Sequence, residues 1–185
     1  AYQLLTHRRF HPWEGGEGRV TTQYAQALLA LAKRDLADGH YDQAEQKLRM
    51  ALVFPENLGE GKLIGEKDNH LYYFLGCALE AAGKHDQAVE CWEKATLGDC
   101  VPAGVMYYND QPADMILYQG LALRKLGREA EAKARFHKLV DYGERHYYDN
   151  MKIEYFAVSL PDLLIFEDDL NARNRAHCQY LIGLG

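Results

Sequence analysis

The sequence predicts an all-α chain, a solenoid of antiparallel helix pairs joined by long inter-repeat loops. Three observations carry that expectation. Gly39, Gly83 and Gly127 stand 44 residues apart, in the strings Ala-Asp-Gly39-His-Tyr-Asp-Gln-Ala44, Ala-Ala-Gly83-Lys-His-Asp-Gln-Ala88 and Lys-Leu-Gly127-Arg-Glu-Ala-Glu-Ala132. Around each glycine, apolar and small residues recur at helical spacing, as Tyr72, Leu75, Gly76 and Leu79 do before Gly83, and Ala88, Trp92 and Ala95 after it. The connections repeat as well: Pro12 to Val20 and Pro55 to Leu63 share the pattern P-x-x-x-G-E-G-[KR]-[VL]. A repeat of this length is one helix pair that buries its apolar face only by stacking on a neighbour.

Each element follows from its residues. Residues 1–10 read as the tail of a second helix, placed by the offset that aligns Pro12 with Pro55. Full repeats are expected over about 21–55, 68–100 and 112–145, with a half-repeat at 170–185. Leu28, Leu31 and Ala32 face Ala44, Leu48 and Ala51 in the first, and Ile116, Gly120 and Leu123 face Ala132, Phe136 and Leu139 in the last. The glycine between the helices ends the first one, because a left-handed residue costs glycine no Cβ clash. Ala32, Gly76 and Gly120 leave room for close approach, and Leu48, Trp92 and Phe136 fill it. Residues 144–170 break the period; Met151–Ser159 is helix-like, Pro161 starts a turn, and Asp168, Asp169 or Asn171 caps the last helix. Tyr180 to Leu184 repeat the start of a first helix, like Tyr73 to Gly76. Both ends thus read as cut through a repeat, making residues 1–185 a single repeat domain from a longer protein.

Composition narrows the function. The chain has 185 residues, 48% hydrophobic and 26% charged, and a net charge of −6 from 21 basic and 27 acidic residues. That balance disfavours nucleic-acid and anionic-membrane partners, which reward basic patches. No apolar run reaches the roughly 18–20 residues of a membrane span. Cys77, Cys91, Cys100 and Cys178 form no C-x-x-C and read as buried thiols of a reducing compartment, in keeping with a cytoplasmic location. The eight histidines show no H-x-x-x-H or H-E-x-x-H spacing, and neither a P-loop nor a dinucleotide fingerprint occurs. No metal, cofactor or catalytic residue is therefore predicted.

The helix-pair grammar resembles the tetratricopeptide repeat, with Leu75-Gly76, Ala88 and Trp92 of the middle copy matching its signature W-x₂-L-G-x₂-Y…A-x₃-F. Asp35 departs from it where a bulky residue is expected, as does Gln119 where leucine precedes the glycine. The usual period is about 34 residues, so each copy here carries roughly ten more in its connection. The resemblance implies a right-handed solenoid whose first helices line a concave binding face. Here that face carries Gln26, Leu29, Lys33, His70, Tyr73, Phe74, Cys77, Asp114, Leu117, Tyr118, Leu121, His177 and Tyr180. The Lys, Asn and Arg set that grips terminal carboxylates in chaperone-binding relatives is mostly missing. More narrowly, the strings His11-Pro-Trp-Glu-Gly-Gly-Glu-Gly18, Pro55-Glu-Asn-Leu-Gly-Glu-Gly-Lys62, Tyr107-Tyr-Asn-Asp-Gln-Pro112 and Phe156-Ala-Val-Ser-Leu-Pro161 are similar to one bacterial group. Its members join an N-terminal β-sandwich domain of unknown function to C-terminal tetratricopeptide repeats, with an implied link to carbohydrate metabolism.

Two candidate sites follow. On the concave face, His70, Tyr73, Phe74, Tyr118 and Tyr180 can hold apolar peptide side chains or stack on sugar rings; the competing expectation is that loops fold over them and make them core. In the loops, Trp13, Glu14, Glu17, Glu60, Asn109 and Asp110 combine an aromatic platform with acids and an amide. Two carboxylates about 5–10 Å apart can act on a glycosidic bond. Repetition of G-E-G favours a structural turn instead, with glycines at positive φ and the glutamate pairing with Arg19 or Lys62. The function expected is noncatalytic binding or scaffolding toward a protein partner or the protein's own N-terminal domain. The alternative is a helical wall of a carbohydrate-binding or carbohydrate-active site, an oligosaccharide then being the partner. A third expectation is self-association through the C-terminal helix around Tyr180 and Leu184.

Overall fold

A computed structural model describes residues 1–13, 16–62, 65–105, 112–152 and 169–185. Among them the chain is all-α: α1 Tyr2–His7, α2 Arg19–Ala37, α3 Tyr41–Ala51, a 3-10 turn Glu56–Leu58, α4 Asn69–Ala81, α5 His85–Ala95, α6 Ala113–Lys125, α7 Glu129–His146 and α8 Leu170–Leu184. Two compact units divide it, Ala1–Ala95 and Thr96–Gly185. In the first, α2 packs on α3, α3 on α4 and α4 on α5, α2 also touches α4, and α1 lies against α2 and the 3-10 turn. In the second, α6 packs on α7, α7 on α8, and α6 also touches α8.

The three repeated glycines build three copies of one turn. Gly39, Gly83 and Gly127 have φ of +77°, +77° and +73°, and a Cβ on any of them would meet nothing within 4 Å. Conformation, not crowding, selects glycine here. Beyond each, His40 N donates to Asp35 O at 2.7 Å, Lys84 N to Leu79 O at 2.8 Å and Arg128 N to Leu123 O at 2.9 Å. This closure satisfies carbonyls the helix end would otherwise leave open.

Crowding selects Gly76, Gly120 and Gly143. A Cβ on Gly76 would collide with the Trp92 indole, and one on Gly120 with the Phe136 ring, so in these two pairs the small residue of the first helix receives the large residue of the second. Leu28, Ala32, Ala44 and Leu48 are fully buried, as are Leu79, Ala95, Ile116 and Leu139. At the α7–α8 crossing Gly143 has no room for a Cβ against the Cys178 carbonyl and Ile182. Ala113, Ile116, Leu139 and Leu181 form a core there, with Leu117, Tyr142 and Leu184 packed against it.

Both departures from the repeat signature are put to use. Asp35 of α2 forms an ion pair with Lys47 of α3, replacing apolar contact by charge at that crossing. Gln119 is fully buried and its Nε2 donates to Leu97 O at 3.0 Å and Asp99 O at 2.9 Å, pinning the connection that enters the second unit's helix pair.

Other expectations need correction. The alignment of Tyr180–Gly183 with Tyr73–Gly76 places Ile182 at Leu75, yet Leu75 is 1% exposed and Ile182 37%, the fully buried residue being Leu181. A Cβ on Gly183 would meet nothing within 4 Å, unlike one on Gly76. Of the proposed caps, Asp169 serves: its side chain accepts from Asn171 N and Ala172 N. The helix-like stretch Met151–Ser159 falls mostly outside the described residues, and Met151 and Lys152 are not helical.

Candidate functional site

The first-helix faces carry the predicted aromatics in half-buried positions. In the first unit, His70, Tyr73 and Phe74 follow one another around α4, all of intermediate exposure. Lys33 of α2 places its ammonium 4.4 Å from the centre of the Phe74 ring, and Tyr73 meets Phe74 edge-on at 5.2 Å. Lys62 sits at the foot of α4, 2.7 Å from the Asp68 carboxylate and 5.0 Å from the centre of the Phe54 ring. Burial, reinforced by the charges of Lys62 and Lys33, pushes the His70 imidazole down to about 4. Burial pushes the Asp68 carboxyl up, against the opposing pull of Lys62.

In the second unit, Asp114 and Tyr118 lie one turn apart on α6 and are half-buried, while Tyr180 on α8 is 44% exposed. Burial raises the Asp114 carboxyl, with its own N–H and that of Met115 opposing. Burial raises both phenols too; Asp114 adds to each, and Tyr180 adds to Tyr118. His177 of α8 is buried and joined through Nε2 to Ala103 O at 3.0 Å, so it anchors a connection rather than presenting a side chain.

The two repeated loop strings meet in the first unit. Phe10 N donates to Asn57 O at 2.8 Å, and Asn57 Nδ2 donates to Leu5 O and Arg8 O, both at 2.8 Å. Glu60 Oε2 accepts from Gly18 N at 2.8 Å, supplying an acceptor at the start of α2, where the first N–H groups lack helix partners. The structural reading of G-E-G thus gains a specific partner, but not Lys62, which pairs with Asp68. Nor do the two strings share a conformation. Positive φ falls on Gly18 in one and on Gly59 in the other, and neither Gly16 nor Gly61 has it. Gly59 lies so close under the Phe10 carbonyl that a Cβ would not fit.

Where these strings meet, an open depression of about 510 Å³ is lined by Arg9, Phe10, His11, Phe54, Glu56 and Glu60, among others. Of the predicted loop residues that are described, only Glu60 lines it. Trp13 is 50% exposed with its indole against Gly16, and Glu17 is exposed. Glu14, Asn109 and Asp110 lie outside the described residues. Among the described residues of that set, Glu60 faces the depression, while Trp13 and Glu17 are exposed.

Three features escaped the sequence reading. Asn69 is 5% exposed and donates to Ala95 O, the last residue of α5, at 2.8 Å. Asn174 is 2% exposed and donates to His146 O, the last residue of α7, at 2.6 Å. With Asn57 at the end of α1, these amides satisfy the carbonyls that helix ends leave open. The third is Lys138, whose Nζ donates to Cys100 Sγ at 2.8 Å. Among the described residues no cluster of three or more His, Cys, Asp or Glu could hold a metal ion, and no helix is long and apolar enough to cross a membrane. No family model matches the chain, and no solved structure matches it.

Proposed function

We propose that the chain is a noncatalytic binding or scaffold module of tetratricopeptide-like helix pairs, which engages a protein partner or a further domain of its own protein through the faces of its first helices. One observation carries this reading. Within each unit the first helices touch, α2 with α4 and α6 with α8, and the residues they present together are half-exposed aromatics beside single charges: Phe74 with Lys33, and Tyr118 and Tyr180 with Asp114. Such rings supply contact area at low entropic cost and are enriched at protein interfaces. A right-handed solenoid of these pairs is the arrangement the repeat resemblance implies, and it belongs to the same proposal.

A second reading is favoured by the depression at the loop strings. Arg9 and His11 offer donors, Glu56 and Glu60 acceptors, and Phe10 and Phe54 rings, the chemistry that a sugar needs. It is the carbohydrate-site reading moved from Trp13 to these residues.

A thermal-shift comparison of peptides with oligosaccharides separates the two. A ligand at about 100 times its Kd adds roughly 2.7 kcal/mol to stability. The binding-module reading predicts shifts with peptides that Phe74→Ser or Tyr118→Ser removes and Glu56→Gln leaves intact. Shifts confined to oligosaccharides and lost in Glu56→Gln would replace it with the carbohydrate site.

A further inference from the structure

The geometry points to a receptor for a cationic side chain of a protein partner, an ammonium or guanidinium, formed by Asp114, Tyr118 and Tyr180 on the α6–α8 face. The inference deepens the binding-module reading, on which it rests, by naming the chemistry of the partner at one place.

Asp114 is a half-buried carboxylate in the first turn of α6 that forms no ion pair with a lysine, arginine or histidine among the described residues; the backbone N–H groups of Asp114 and Met115 oppose the effect of its burial. The remaining positions, 14–15, 63–64, 106–111 and 153–168, contain no Lys, Arg or His. No part of the chain outside the described residues can therefore supply the missing cation. The start of α6 and the Asp114 and Met115 amides offset part of the cost of burying the carboxylate, and a cation from outside offsets more of it.

The two tyrosines define which cation fits. Tyr118 stands one helical turn from Asp114, on the same side of α6, and Tyr180 comes from α8, which packs beside α6. Leu181, next to Tyr180, shares a core with Ala113, next to Asp114, and with Ile116, which places Tyr180 and Asp114 at the same α6–α8 contact; the Asp114 charge acts on both phenols. An acid flanked by two aromatic rings suits a cation carried on an apolar stem: the charge meets the carboxylate and the stem and π-faces pack. The exposure of Tyr180, 44%, leaves a side for entry.

The test uses the whole chain with carbon-13-labelled tyrosine. Nα-acetyl-lysine methylamide and its arginine counterpart are titrated in turn, with the norleucine compound as an uncharged isostere of the stem. The expected result is saturable shifts of the Tyr118 and Tyr180 ring signals with lysine, arginine or both, absent with norleucine. Affinity should fall at least fivefold in Asp114→Asn. Tyr180→Leu, a change on the half-exposed side of α8, should weaken binding without moving the shifts of α2 or α4 residues. Equal shifts with norleucine, retention of affinity in Asp114→Asn, or no saturable shift in the folded chain would each overturn the assignment. Peptides that bind this face with no preference for lysine or arginine would also overturn it while leaving the binding-module reading in place.

Discussion

Gly76 and His70 sit six residues apart on α4 and show two different ways in which single residues are constrained. Gly76 is held by volume: the Trp92 indole occupies the space a Cβ would need. Gly76→Ala should therefore destabilise by about 1–3 kcal/mol, the range for overpacking a filled core, read as a lower urea midpoint at unchanged slope. Gly83→Ala should also destabilise, through its φ of +77° rather than any contact. His70 is held by charge and burial. Its imidazole, at about 4 in the fold against about 6.5 in an unfolded chain, is neutral where the unfolded chain is protonated. The unfolded state binds the extra proton as pH falls from about 6.5 to 4, so stability is lost over that window and is unaffected above it. The loss should be on the order of 3 kcal/mol, and His70→Phe should flatten that part of the pH profile. An imidazole that titrates near 6.5 by NMR would contradict the account.

At the scale of elements, the legible part of the structure is the part fixed by neighbours in sequence. Three glycines within identical local grammar produce three turns with matching hydrogen bonds, and Asp169 caps α8 through amides two and three residues away. What could not be read depends on distant segments. The amides of Asn57, Asn69 and Asn174 reach carbonyls 52, 26 and 28 residues away, and no pattern around an asparagine marks such a partner. The loop strings make the same point. Shared letters did not give shared turns, because Gly59 takes its conformation under the Phe10 carbonyl while Gly18 takes its own at the start of α2. Two predictions belong here. Asn69→Ala should cost about 1–3 kcal/mol by leaving the buried carbonyl of Ala95 without its donor. Glu60→Ala should destabilise the first unit by about 0.5–2 kcal/mol, as loss of a helix N-terminal acceptor does, whereas Glu60→Gln, which keeps an oxygen for Gly18 N, should cost less. Equal losses in both Glu60 variants would give the charge, rather than the hydrogen bond, the structural role.

For the molecule as a whole, helical periodicity is enough to predict an all-α chain, because every repeat must bury the same stripe of small and large residues. Binding sites have no such period. The predicted loop acids were chosen by residue type alone, and among those described only Glu60 lines the depression where the loop strings meet. The concave-face residues were chosen by repeat position: His70, Tyr73 and Phe74 lie on α4, Tyr118 on α6 and Tyr180 on α8, and all but Tyr180 are half-buried. By the same repeat offset Asp114 stands at the position of His70, and Lys33 at that of Cys77. The proposed binding module engages its partner on these faces. The most direct measurement is backbone amide chemical-shift mapping of the whole chain with a peptide selected against it from a random library. The account predicts perturbations concentrated on α2, α4, α6 and α8 around Phe74 and Tyr118. Perturbations confined to α3, α5 and α7, or to residues 9–13 and 54–62, would contradict it.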